Sequence, residues 1–193
     1  MSLLLTGFGP FPGVDENPTE KIAKALDKTK FADLGIEALT LPVTLSSAFN
    51  KSVDSCHGET KAVVCLGVST RINAIHIESR AYNRFESQKG DAEGKGKGEW
   101  IIEPKGPPHR DTKFSCTSIQ ARLIDEGIAC EVSGDAGRYV CNWLYFKRLA
   151  QPQPALFVHV PQVDENWTLD RLITATKLVL VGVAATLPSG QAQ

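Results

Sequence analysis

The chain has 193 residues, of which 42% are hydrophobic and 22% charged, and this suits one α/β domain with a sizeable core. A formal net charge of −1 excludes a global basic field for nucleic acid or an anionic membrane, so we expect small or neutral partners. Five cysteines without CxxC spacing indicate a reduced, cytoplasmic setting, and no apolar run reaches the roughly 18 residues that a membrane span needs.

The first part of the chain predicts strands that alternate with helices. Residues 2–6 are continuously apolar and predict a buried strand rather than a signal peptide, since no basic leader precedes them. A turn is expected at 7–13, and Pro18 is expected in the first turn of a helix. Two further strands and a helix are predicted at 36–41, 61–67 and 44–55. This order is typical of a mixed or mostly parallel sheet with helices on both faces.

The pattern changes after the third strand. Residues 72–79 alternate with a period of two, which predicts a strand outside the βαβ rhythm with His76 and Glu78 on one face. Residues 88–98 are rich in glycine and charge, and they predict a mobile loop within a single domain spanning 1–193. That loop fits a lid over a site and a disordered segment equally well, but its sequence does not match a phosphate-binding loop.

The second half of the chain continues the alternation of strands and helices. Its predicted elements are helices over 117–126, 138–150 and 169–187 and strands at 128–132 and 154–161. Thr168 suits the cap position of the last helix, whose apolar stripe indicates a packing role. The last strand carries His159 near its carboxyl end, where open α/β sheets gather their ligands.

Cys141 is the candidate nucleophile. It is expected in the first turn of a helix, where unpaired N–H groups and the positive end of the helix dipole favour a thiolate. Gly134 and Gly137 allow the tight backbone of a loop that presents a nucleophile to its substrate. Free cysteine is also among the most buried side chains in proteins, so a packing role remains open.

A constellation of residue types supports the catalytic interpretation. Glu78, Cys141 and His159 supply an orienting carboxylate, a nucleophile and a base. The alternatives are an ordinary exposed carboxylate for Glu78 and a hydrogen-bonded core imidazole for His159. Phe8 and Phe11, in the tight first loop, either cap the edge of the core or form apolar walls for a flat ligand. Sequence spacing alone does not show that these side chains meet.

Four motifs then recur in one order over most of the chain. They are Thr6-Gly7-Phe8-Gly9-Pro10-Phe11 with Asn17-Pro18 behind it, the Glu78 strand with Ala81 and Asn83, Asp135-Ala136-Gly137-Arg138-Tyr139-Val140-Cys141-Asn142, and Phe157-Val158-His159-Val160-Pro161. In this combination the chain resembles the pyroglutamyl-peptidase I family of cysteine peptidases, also called pyrrolidone-carboxylate peptidases. The combination is far more specific than any single motif.

The resemblance implies a three-layer α/β/α sandwich with a central mixed, mostly parallel sheet. It also implies a cysteine omega-peptidase that hydrolyses the amide bond after an N-terminal pyroglutamyl residue through a thioester intermediate. In that mechanism Cys141 attacks the amide, His159 relays the proton and Glu78 orients the imidazole. No metal or organic cofactor is implied.

The substrate pocket is also carried over from the resemblance. Its expected residues are Phe8, Phe11, Asn17, Tyr139 and Val140, with the two phenylalanines sandwiching the lactam ring. Aromatic walls and a few backbone hydrogen bonds suit a flat, uncharged lactam. The chain lacks the family's Asp-Ala-Arg-Ile-Pro-Asp-Asn segment after the glutamate strand. Arg84 is the only near substitute for its arginine, and backbone N–H groups around Cys141 are the safer oxyanion donors.

The expected partners are peptides with an N-terminal pyroglutamate, with neither nucleic acid nor a membrane, and a homo-oligomer remains open. One alternative function is a catalytically impaired relative that binds lactam or blocked N-terminal groups. Another is a nucleotide- or nucleoside-using α/β enzyme. The chain has neither a Gly-x-Gly-x-x-Gly pattern after a strand nor a Walker motif, which argues against the second alternative.

Overall fold

The computed structural model describes residues 1–187, which form eleven strands and five helices. The strands are β1 (Ser2–Phe8), β2 (Lys30–Phe31), β3 (Leu34–Leu41), β4 (Thr60–Ser69), β5 (Ile75–Glu78), β6 (Arg80–Tyr82), β7 (Phe85–Ser87), β8 (Gly98–Trp100), β9 (His109–Asp111), β10 (Cys130–Ser133) and β11 (Ala155–Pro161). The helices are α1 (Pro18–Leu26), α2 (Leu45–Asp54), α3 (Cys116–Asp125), α4 (Val140–Arg148) and α5 (Leu169–Thr186). Within this part of the chain, no helix combines the length and the apolar character needed to span a bilayer.

A seven-stranded sheet forms the centre of the molecule, in the order β10-β5-β11-β4-β1-β3-β2. Its pairings are parallel except for β11 with β5 and β2 with β3. One hydrophobic cluster packs α1, α3 and α5 on one face, and a second packs α2 and α4 on the other. The predicted three-layer α/β/α sandwich with a mixed, mostly parallel sheet is therefore confirmed.

The ends of the helices follow local chemistry. The Asn17 side chain accepts a hydrogen bond from the Thr19 N–H at the start of α1, and Thr168 accepts one from the Arg171 N–H at the start of α5. Helix α4 begins at Val140 rather than at the predicted residue 138. Gly137 has a φ of 81°, which keeps the chain out of the helical conformation up to that point.

Two predicted boundaries were wrong because pairing partners were not visible in the sequence. Strand β1 continues through Phe8, beyond the predicted turn at 7–13, because its ladder with β3 extends to the pair Phe8 and Leu41. The strand predicted at 61–67 continues through Ser69 as part of β4, because its ladder with β11 extends to the pair Ser69 and Pro161. In both cases a strand distant in sequence satisfies backbone hydrogen bonds beyond the predicted end of the strand.

Residues 88–97 connect β7 and β8, which pair as an antiparallel hairpin, so the last residue of the predicted loop, Gly98, belongs to β8. Asp91 anchors this connection: it is 5% exposed and accepts hydrogen bonds from the backbone N–H groups of Leu45, Glu93 and Lys95. The loop is therefore fastened to the start of α2 as well as to itself. Its predicted mobility and its role as a lid stay predictions.

Candidate active site

The sheet brings Glu78 and His159 together. They lie on the neighbouring antiparallel strands β5 and β11, in which Glu78 is paired with Phe157 and His76 with His159. His159 Nδ1 lies 2.7 Å from Glu78 Oε1, and the Glu78 side chain is 1% exposed. A buried carboxylate at this distance holds the N–H on Nδ1 and fixes the orientation of the imidazole.

Cys141 approaches the same imidazole from a helix. It lies half-buried in the first turn of α4, after the cap residue Tyr139. In the described part of the chain no side chain caps this helix start, so its first N–H groups remain available to a ligand. The sulfur lies above Gly67 of β4, where an added Cβ would come within 3.0 Å of Sγ. Gly67 is in turn the ladder partner of His159.

The pKa of His159 indicates a charged ring. Burial lowers this pKa, but hydrogen bonding to Cys141 and Glu78 and the charges of both groups outweigh burial and raise it to about 10. The ring is therefore protonated at neutral pH. A charged imidazolium therefore lies beside the candidate nucleophile Cys141.

Three of the other cysteines are buried and unreactive. Burial raises the pKa of Cys65 and of Cys116 to about 11, and that of Cys130 to about 12. All three are less than 9% exposed, so they are neutral, packed thiols at physiological pH. Cys141 differs from them by its place in an open cleft beside a charged imidazole.

A cleft of about 900 Å³ contains Cys141, His159 and Glu78. Phe11 and Tyr139, two of the predicted substrate-binding residues, line it. The remaining predicted pocket residues do not line the cleft and lie beneath its surface, with exposed fractions of 3% for Phe8, 1% for Asn17 and 0% for Val140. The Asn17 amide donates to the Gly9 carbonyl at 3.0 Å and so supports the loop that carries Phe11.

Arg84 does not take part in the cleft. Its guanidinium pairs with Glu99 at 2.7 Å on the β7–β8 hairpin. The arginines that line the cleft are Arg71 and Arg138. Arg138 is paired with Asp135 and lies 4.1 Å from the centre of the Tyr82 ring. The structure therefore gives no support to Arg84 as an oxyanion donor, because it does not place this residue in the cleft.

Three residues around the site had escaped the sequence analysis. Gly67 lies two residues before the end of β4, and in the sequence it is recognisable only as a glycine near the carboxyl end of an apolar strand. Asn142 and Tyr145, both fully buried in α4, hydrogen-bond the segment that follows Glu78. Within residues 1–187, no group of three or more His, Cys, Asp or Glu side chains is arranged to hold a metal ion.

Comparison with known proteins agrees with this geometry. A family model described as pyroglutamyl peptidase matches residues 1–185. The pyrrolidone-carboxylate peptidase of Pyrococcus furiosus is 32% identical over 174 residues, covering 86% of this chain and 83% of the relative. The protein of the same name from Gloeobacter violaceus is 33% identical over 173 residues, covering 86% of this chain and 84% of the relative.

Solved structures give the same result. A mutant pyrrolidone carboxyl peptidase from Pyrococcus furiosus superposes with a TM-score of 0.89 at 27% identity, covering 96% of this chain and 99% of that chain. Another solved pyrrolidone carboxyl peptidase from this organism superposes with a TM-score of 0.88, also at 27% identity and with the same coverage. The similarity therefore extends over the whole sandwich and includes the strands and the helix that carry the site.

Proposed function

Since the chain belongs to the pyroglutamyl peptidase family, we propose that it removes the N-terminal pyroglutamyl residue of peptides with Cys141, His159 and Glu78 as its catalytic residues. The observation that carries this proposal is the 2.7 Å contact between Glu78 and His159 beside a cysteine at a helix start. The three groups have the chemistry of a nucleophile, a base and an orienting acid.

Acylation begins at the sulfur. The Cys141 thiolate attacks the carbonyl carbon of the pyroglutamyl residue, and the carbonyl electrons move onto oxygen to give a tetrahedral intermediate. The His159 imidazolium then transfers a proton to the amide nitrogen. The C–N bond breaks, the shortened peptide leaves with a neutral amine, and a pyroglutamyl thioester remains on Cys141.

Backbone donors stabilise the oxyanion in this proposal. The first N–H groups of α4, including that of Cys141, point out of a helix start that has no side-chain cap among the described residues. Donors fixed in this way stabilise negative charge without reorganising during the reaction. Arg84 has no part in this oxyanion site, since its guanidinium pairs with Glu99 on the β7–β8 hairpin.

Deacylation uses the same base. His159, now neutral, accepts a proton from water, and the resulting hydroxide attacks the thioester carbon. The C–S bond breaks, pyroglutamate is released, and the proton on His159 restores the imidazolium–thiolate pair. Glu78 keeps the ring in one orientation through both half-reactions, because its buried oxygen holds the Nδ1 proton.

The cleft suits a lactam. Phe11 and Tyr139 offer aromatic surface to a flat ring, and they pack against the buried cluster that contains Phe8 and Val140. A charged N-terminal glutamate would lose its hydration between these aromatic walls, whereas the neutral lactam loses much less. We therefore infer that the pocket selects the cyclised, uncharged residue.

A reducing compartment, the cytoplasm, is the proposed location. Cys141 must stay reduced to act, and all five cysteines are free. The proposed partners are peptides with a pyroglutamyl N-terminus, and neither nucleic acid nor a membrane surface is part of the proposal. A homo-oligomer is compatible with it but is not required to complete the site.

The test is hydrolysis of a pyroglutamyl-aminomethylcoumarin substrate by the wild type and by Cys141→Ser, with a prolyl substrate as specificity control. We expect turnover of the lactam substrate only, abolished by Cys141→Ser and by thiol alkylation. Folded, reduced wild type without turnover would overturn the proposal and favour a relative that binds lactam groups without cleaving them.

A further inference from the structure

Two buried side chains of helix α4 form hydrogen bonds with the backbone of Glu78 and of the segment that follows it. The Asn142 amide donates to the carbonyls of Tyr82 and Arg84 at 2.9 and 2.8 Å, and its oxygen accepts from the Tyr82 N–H at 2.8 Å. One turn later, the Tyr145 hydroxyl donates to the Glu78 carbonyl at 2.8 Å. Both side chains are fully buried, so these four bonds are shielded from water.

These bonds join two parts of the site that the sheet does not join. Glu78 and His159 lie on paired strands, so the ladder between β5 and β11 fixes the acid relative to the base. Cys141 lies on a helix that belongs to no ladder. Apolar packing holds α4 to the sheet but leaves freedom to slide, because it has little directional preference. Hydrogen bonds are directional, so they can fix the position of α4 along the sheet.

We propose that Asn142 and Tyr145 are positioning residues that set Cys141 in register with Glu78 and His159. This register clamp consists of the two side chains and the backbone groups of Glu78, Tyr82 and Arg84 that they bind. The inference rests on the proposed catalytic triad. Asn142 directly follows the nucleophile, so a displacement of its amide is passed to Cys141 through a single peptide unit.

A purely structural role is the competing explanation, because any buried amide prefers its hydrogen bonds to be filled. The chain offers a matched control in Asn83, which is 5% exposed. Its side chain exchanges two 2.8 Å hydrogen bonds with the backbone of Glu103. Asn83 therefore makes the same kind of side-chain-to-backbone hydrogen bonds, but to Glu103 rather than to the helix that carries the nucleophile.

The experiment compares Asn142→Ala, Tyr145→Phe and Asn83→Ala with the wild type at a temperature where circular dichroism shows each to be folded. Two quantities are measured: steady-state kinetics on the pyroglutamyl substrate, and the rate of Cys141 alkylation by iodoacetamide from pH 5 to 10, located by peptide mapping. The alkylation profile reports the pairing of Cys141 with His159 without any substrate.

We expect Asn142→Ala to lower kcat by on the order of 100-fold with KM changed by less than about threefold, because small misplacements act on the chemical step. Alkylation at pH 6 should slow by about tenfold and recover at pH 10. Tyr145→Phe removes one oxygen and should lower kcat by about five- to tenfold. Asn83→Ala should stay within about twofold in both measurements, even where its melting temperature falls.

Equal losses of kcat in Asn83→Ala and Asn142→Ala, or an unchanged alkylation profile in Asn142→Ala, would overturn the inference. If Asn142→Ala does not fold, Tyr145→Phe decides by the same two measurements. A wild type that alkylates rapidly at pH 6 but does not cleave the lactam substrate would refute the proposed function. The clamp would still be tested by alkylation alone.

Discussion

Gly67 of β4 lies directly against Cys141, with no room for a side chain between them. A Cβ on Gly67 would come within 3.0 Å of Cys141 Sγ and within 2.9 Å of the Phe157 ring. Phe157 is fully buried in β11, so it cannot move aside without disturbing the core. The position of the nucleophile therefore depends on a glycine in the neighbouring strand.

Gly67→Ala is expected to displace the sulfur and to lower kcat/KM by at least about 100-fold, since near-attack geometry tolerates little error. Overpacking against Phe157 should also cost about 1–3 kcal/mol of unfolding free energy. Kinetics and urea denaturation check both effects. Gly58→Ala is the control, because a Cβ there meets nothing within 4 Å, and activity equal to that of the control would contradict the prediction.

Glu78→Gln should lower the pKa of His159. The negative charge of Glu78 and its hydrogen bond both raise this pKa, and the substitution removes the charge and alters the hydrogen bond. Burial, which lowers the pKa, stays the same. The imidazolium would then be lost at a lower pH, and kcat should fall by on the order of 10²–10⁴, as expected when the orienting acid of a triad is neutralised. NMR titration of the His159 ring measures the first effect. A ring that stays charged up to pH 10 in the variant would refute this assignment of causes.

The raised pKa of His159 also predicts how stability varies with pH. The folded value of about 10 lies above the value of about 6.5 for an unfolded histidine, so the charged ring stabilises the fold. This contribution is complete below pH 6.5 and is lost as the pH rises to about 10. The difference in unfolding free energy between wild type and His159→Gln should therefore shrink by on the order of 2–4 kcal/mol between pH 6.5 and 10. Chemical denaturation at several pH values tests the sign.

Phe11→Ala and Phe8→Ala should separate a contact residue from a supporting one. Phe11 lines the cleft, so its loss should reduce kcat/KM by a factor equivalent to about 1–3 kcal/mol with little change in stability. Phe8 is 3% exposed, so its truncation should cost about 3–5 kcal/mol of unfolding free energy. Activity and thermal melting are measured in parallel, and the reverse pattern would reassign the pocket wall.

The sequence was most informative where a pattern is local. The apolar stripe of α5 and its cap Thr168 predicted that helix from neighbouring residues, and the continuous apolar strands predicted a buried sheet. The alternation over 72–79 also placed His76 and Glu78 on one face, although β5 itself begins only at Ile75. These features depend on interactions within a few residues.

The site could be predicted only in part. Residue chemistry and the family resemblance suggested Cys141, His159 and Glu78, but their meeting depends on strand pairing across 81 residues of sequence. The hydrogen bonds between Asn142 and the backbone of Tyr82 could not be predicted, because the two residues lie 60 positions apart in the sequence. Nothing in the local sequence distinguishes Asn142 from another buried amide. Asp91 was hidden for the same reason, inside a segment whose composition predicts disorder.

The antiparallel pairing of β5 with β11 has a further consequence for refolding. A slip of β5 by two residues would keep every side chain on its own face of the sheet while bringing His76 to the place of Glu78 beside the imidazole. A chain refolded in that register would lack the orienting acid. The register of this one strand pair therefore decides whether the imidazole meets a carboxylate.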